Sequence, residues 1–323
     1  MTTEQTNWLN VVLMVAACAA AMAAPFHVFL LAYAILGPLH YLTEISWLHD
    51  RQYFTKKQPL RRVWLVVVGA ATLAVAYGFI SSDLLHRPVA PTVEIGLVYM
   101  AFFVGGLVLY VRHGVNMAAL FAVCAITLAV TASQPIYGIA AYLLVTIVHV
   151  LLFTGCFVLF GALKSNSRSG LISLGVFVAC AAITLTVGAP SLAPSAQVRT
   201  LYGGFAQLNS VLRHTFGGSE LAVMRLIAFA YLYHYLNWFS KTSVIKWHEV
   251  SRTRAAAIVA LWLGGVGLYV YNYSAGFAVF YVLSILHVML EFPLNHQTFV
   301  GIAGALRPLV ARPRRRAVEA EAA

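Results

Sequence analysis

"FHVFLLAYAILGPLHYLTEISW", residues 26–47, is a run of 22 almost unbroken apolar residues. About 20 such residues carry an α-helix across the roughly 30 Å hydrocarbon core of a bilayer. The end of this run does not suit lipid. Gly37–Arg51 reads GPLHYLTEISWLHDR and holds His40, Glu44, His49 and Asp50, and ionisable groups at membrane depth are costly and usually functional. The whole chain of 323 residues is 61% hydrophobic and 10% charged, with a mean hydropathy of +0.82, where a soluble domain carries about 25% charged residues. Its apolar runs are long and do not alternate, which predicts helices rather than a β-barrel.

Runs of spanning length fall at 8–24, 26–47, 62–80, 92–111, 115–132, 136–163, 170–188, 221–240, 254–272 and 276–298. The expected fold is therefore all-α: a polytopic transmembrane helical bundle of about ten spans, with Pro25 a candidate break between the first two. One transmembrane domain is expected over 1–306, followed by a disordered basic tail, 307–323, that ends in Ala and Glu. Placing all ten spans puts every Lys and Arg on one side except Arg87, Arg199, Arg213 and Arg225. By the positive-inside rule that side, with both termini, is cytoplasmic. The net charge of +11 then reads as topology and contact with anionic lipid, not nucleic-acid binding. The location this implies is a bacterial inner membrane.

The segment MTTEQTNW before the first run has no basic residue and carries Glu4, the wrong sign for a signal peptide, so the first helix is read as retained. Cys18, Cys124, Cys156 and Cys180 lie in apolar runs without C-x-x-C spacing and read as packing residues. The long non-cytoplasmic loop 189–220 includes a stretch expected to lie on the membrane surface as an amphipathic helix.

Near the other end of the chain, Ser284–Phe299 reads SILHVMLEFPLNHQTF. Both stretches spell H-x3-E-x4-H: His40, Glu44, His49 and His287, Glu291, His296. Residues i and i+4 share a helix face, so each first histidine sits beside its glutamate. Imidazole and carboxylate together are ligands for iron, manganese or zinc. The third residue, five beyond the glutamate, points about 140° away on a continuous helix. His49 and His296 join a site only if their helices end or bend before them, as Pro293 and the charged HDRQYF exit suggest.

A third stretch, YLYHYLNWFSKTSVIKWHE, brings His234 and His248. At about 1.5 Å per residue, His40, His234 and His287 lie roughly 10–16 Å from the cytoplasmic edge, and His149 about 21 Å. The candidate ligands are thus His40, Glu44, His49, His234, His248, His287, Glu291 and His296, enough for two irons. His149 is a further candidate, as ligand or second-layer group. Asp50 is placed to orient His49, and Asn237 and Lys241, on the face of His234, to bond a ligand or a substrate head group. Tyr41, Trp47, Tyr231, Tyr233, Tyr235, Trp238 and Phe292 surround these positions, as an interfacial belt or as the wall of a pocket for a lipophilic substrate. No Walker loop, G-x-S-x-G elbow, H-E-x-x-H or dinucleotide fingerprint occurs.

GPLHYLTE, with YLYHYLNWF on a later helix, resembles the bacterial Brp/Blh family of carotene-cleaving membrane oxygenases, whose early helix carries a P-H-G-x-x-D box. His40 and Glu44 stand in corresponding places, with Leu39 and His40 following Pro38 and Glu in place of Asp. The histidine boxes of fatty-acid desaturases are absent. The resemblance implies an oxygenase on a membrane-soluble substrate. Three readings stand. One is a non-haem iron oxygenase or oxidase, di-iron, using O2 on a lipophilic substrate, with an electron donor as a candidate partner. The second is an ion- or proton-coupled transporter using the same His/Glu cluster. The third is b-haem ligation. Zinc is a minor alternative.

Overall fold

The computed structural model describes residues 1–55, 60–81, 85–87, 92–110, 126–127, 135–202, 206–241, 246 and 249–321. Among them there is no β-strand. The helices are α1 (Thr3–Ala23), α2 (Pro25–Asp50), α3 (Leu60–Phe79), α4 (Thr92–Tyr110), α5 (135–165), α6 (Arg168–Thr186), α7 (Ala196–Tyr202), α8 (Ala206–Phe216), α9 (Glu220–Ser240), α10 (Arg252–Tyr271) and α11 (Tyr273–Glu321).

Seven of these are long and apolar enough to cross a membrane: α1, α2, α3, α5, α6, α10 and α11. The chain is an integral membrane protein. The expected span at 92–111 is α4, a shorter apolar helix over Val93–Leu109, and the one at 115–132 lies outside the described residues apart from 126–127. The span at 221–240 is α9. It is helical throughout but carries Glu220, Arg225, His234 and Asn237 and is mostly buried by its neighbours. A helix surrounded by protein need not be apolar all round, and so α9 falls short of the composition of a lipid-facing span.

Local signals set several boundaries. Thr2 and Gln5 form a reciprocal capping box at the start of α1, and Ser167, Ser219 and Ser251 cap α6, α9 and α10 by accepting from backbone N–H groups. Asn166 adopts the left-handed conformation (φ 48°) that closes α5. Pro25 opens α2 at its first turn, where a missing N–H costs nothing.

Helix α2 widens from α to π geometry over Ala32–Leu36, and α5 over Leu144–Phe153. In α2 the wide turn comes just before Pro38, whose ring would crowd the carbonyl four residues earlier in an unbroken α-helix. The Ile35 carbonyl in this turn accepts from Trp262 Nε1–H of α10 at 2.8 Å.

Helix α9 runs through the middle, against α1, α2, α5 and α6. One apolar cluster gathers α1, α2, α6 and α9, and a second gathers α3, α4 and the middle of α11. The wide segment of α5 contributes Ile147 and Val150 to the first and Val145 to the second. α8 is amphipathic as expected, but Leu208 and Leu212 are buried in the first cluster rather than in lipid, and Asn209 bonds the Glu220 carbonyl at 3.3 Å.

Candidate metal centre

Four helices each bring one histidine to the seam between the two apolar clusters: His40 from α2, His149 from α5, His234 from α9 and His287 from α11. All four are between 1% and 7% exposed. One ring nitrogen from each lies within 4.8 Å of all the others. The imidazoles close a circuit, His40–His234–His149–His287, with neighbouring centroids 4.7, 4.8, 5.1 and, back to His40, 5.2 Å apart. Every neighbouring pair meets edge to face.

The two glutamates lie beside the ring. Glu44 Oε2 is 3.0 Å from His40 Nε2, and Glu291 Oε2 is 3.2 Å from His149 Nδ1. Their carboxyl groups are within hydrogen-bonding reach of each other, and Asn295 Nδ2 approaches Glu291 at 3.5 Å. Thr154 Oγ1 lies 2.8 Å from His234 Nδ1. Tyr41 stacks on His287 at 4.5 Å and bonds Tyr235 through their hydroxyls at 2.8 Å, and Tyr235 packs 5.1 Å from His40. Gly37 makes room for that pair: a Cβ there would stand 3.0 Å from the Tyr41 hydroxyl.

Among the described residues several ring nitrogens have no hydrogen-bond partner: His40 Nδ1, both nitrogens of His149 and both of His287. Leaving a buried polar atom unpaired costs about 1–3 kcal/mol, so a cluster of them calls for a ligand. The donor set suits a transition metal, since neutral imidazole binds zinc, copper, iron and nickel. The spacing suits it too. With metal–nitrogen bonds of about 2.1 Å, two ligand nitrogens lie about 3 Å apart at a right angle and about 4.2 Å apart across the ion. His40 Nε2 and His234 Nε2 are 3.0 Å apart. The four histidines can therefore hold a metal ion.

His49 and His296 are elsewhere. His49 is exposed and its Nδ1 faces the Tyr53 hydroxyl at 3.2 Å. His296 bonds the Phe102 carbonyl through Nε2 at 2.9 Å and lies over Gly106. The reason is the continuity of the helices: α2 stays helical through Asp50 and α11 passes Pro293 unbroken, so a residue five past the glutamate faces away from it. His248 lies outside the described residues. Asp50 orients no histidine; it accepts from Arg254 Nη1 at 2.6 Å. Asn237 is buried on α9, and Lys241 ends that helix within electrostatic reach of Glu44 and Glu291, its Nζ 5.8 Å from the Phe157 ring.

A rise of about 1.5 Å per residue places His149 deeper than the other three. The structure nevertheless brings a His149 ring nitrogen within 4.8 Å of the others, from a segment, Leu144–Phe153, that is wound as a π-helix. Such widened segments are frequent at functional sites. Thr154 carried no sequence signal; a threonine in an apolar helix is ordinary. No protein-family model matches the chain, nor does any curated protein or solved structure.

Proposed function

We propose that the protein is a membrane-embedded non-haem iron oxygenase or oxidase that acts on a lipophilic substrate with O2. The circuit of four buried imidazoles with unpartnered nitrogens carries this reading. His40, His149, His234 and His287 would hold the iron, whose redox chemistry activates O2. In this reading one ion is favoured over the two suggested by the eight sequence candidates, because metals in a paired site stand about 3.5–4 Å apart and need a wider ligand set. The neutral imidazoles leave the ion's charge to be balanced by Glu44 and Glu291, which lie beside the His40 and His149 rings. The enclosing helices keep water from the reaction. Substrate reaches the site from the bilayer, electrons come from a donor on the basic cytoplasmic face, and the same basic loops rest on anionic lipid. Carotene-like substrates are the class that the Brp/Blh resemblance favours.

A b-haem is less well supported. It needs two histidines on opposite faces of a porphyrin, and a closed circuit with centroids about 5 Å apart leaves little room for a macrocycle. Metal analysis and an optical spectrum of the detergent-purified protein test the proposal. About one iron per chain without a Soret band supports it, and two irons would restore the di-iron form. A Soret band identifies haem, bound zinc points to hydrolytic chemistry, and a colourless protein that takes up no metal on anaerobic Fe(II) loading redirects attention to transport.

A further inference from the structure

The four histidines are not equivalently supported. His40 and His149 each face a carboxylate and His287 lies on the Tyr41 ring, whereas His234 meets a hydroxyl, that of Thr154. Both partners in that contact are buried, Thr154 at 1% exposure, and they come from different helices, α5 and α9. The contact occupies Nδ1 of His234. The opposite nitrogen, Nε2, is the one turned toward the ring, 3.0 Å from His40 Nε2.

We propose that Thr154 is a positioning residue: its hydroxyl oxygen accepts from His234 Nδ1–H, which leaves the Nε2 lone pair free for the metal. The inference rests on the metal-site reading above. A neutral imidazole carries one proton, and the hydrogen bond on one nitrogen decides which nitrogen can ligate. A threonine hydroxyl on a helix can turn its own proton back to the carbonyl of the preceding turn, which keeps its oxygen available as an acceptor. Thr154 is the first residue after the widened segment of α5. The segment that carries His149 to the ring thus also carries Thr154 to His234. His149 and Thr154 are five residues apart, near the same phase in a helix of π pitch and on different faces in an α-helix.

The test uses the full-length protein in detergent and three variants. Thr154→Val keeps the branched shape but removes the acceptor; Thr154→Ser restores it. Thr146→Val is the control, since Thr146 is also buried on the wide segment but bonds only backbone carbonyls, with Tyr142 at 2.6 Å. Fe(II) and Zn(II) affinities are measured by chelator competition. Thr154→Val is expected to bind about 10- to 100-fold more weakly, with Thr154→Ser near wild type and Thr146→Val unchanged. Histidine 15N shifts of the metal-free protein, assigned through His234→Gln, are expected to show Nδ1–H in wild type and its loss in Thr154→Val. Undiminished affinity in Thr154→Val, or an Nε2–H tautomer in wild type, overturns the proposal. A wild-type chain that binds neither metal defeats the metal-site reading instead, and the tautomer still decides the role of Thr154.

Discussion

His287 reaches the centre of the bundle with both ring nitrogens free of hydrogen bonds and its ring against Tyr41. Among the described residues no well-formed hydrogen bond satisfies it, so its presence is explained best by what it binds. Replacing His287 or His149 with Ala is expected to reduce bound metal to near zero by elemental analysis. Replacing His49 or His296 is expected to leave it near wild type, although both belong to the same sequence pattern, because their rings are engaged elsewhere. His296 instead depends on Gly106, where a Cβ would stand 3.0 Å from its ring. Gly106→Ala must displace that ring from the Phe102 carbonyl. The expected cost is about 1–3 kcal/mol of stability, read as a lower thermal midpoint with metal content retained.

Arg225 shows what holds an element in place. It is buried on α9 and spends its donors on the α6–α7 connection: Nη1 on the Val187 carbonyl at 2.9 Å, Nε on Ser191 Oγ at 3.1 Å, and Nη2 on the Ala189 carbonyl and Ser191 Oγ. Ser191 passes the connection on to the Met22 carbonyl of α1 at 2.5 Å. Arg225→Met would remove these bonds, each bond to a charged group contributing about 1.5–3 kcal/mol. A drop in thermal midpoint without loss of metal is the expected result. The elements themselves were largely legible. Hydropathy located the helices, and Thr2, Ser167, Ser219, Ser251 and Pro25 marked starts by ordinary capping chemistry. The π segments were not, because widening depends on what a helix must pack around as much as on its own residues.

At the scale of the whole molecule, a metal held by four helices ties α2, α5, α9 and α11 together and stabilises the folded state by linkage. At a free concentration 100 times its Kd it contributes about 2.7 kcal/mol. A chelator is therefore expected to lower the melting temperature of the loaded wild-type protein and to have little effect on His287→Ala. The charge distribution predicts an orientation as well: reporters fused to either terminus should be active on the cytoplasmic side, and a non-cytoplasmic terminus would reverse the placement of the centre.

The sequence by itself determined that the chain is a helical membrane protein, and that His40, Glu44, His234, His287 and Glu291 are its unusual residues, because each apolar run reports the solvent around it and each buried ionisable group departs from that pattern. It also placed His40 with Glu44 and His287 with Glu291, since neighbours on one helix face follow from the helical repeat alone. Only the tertiary structure decided which histidines meet. Uninterrupted helices turn His49 and His296 away, the wide turn of α5 brings His149 in, and the burial of α9 sets His234 over Thr154. Those outcomes depend on the phase and depth of one helix relative to another, which packing fixes and a single strand of residues does not record.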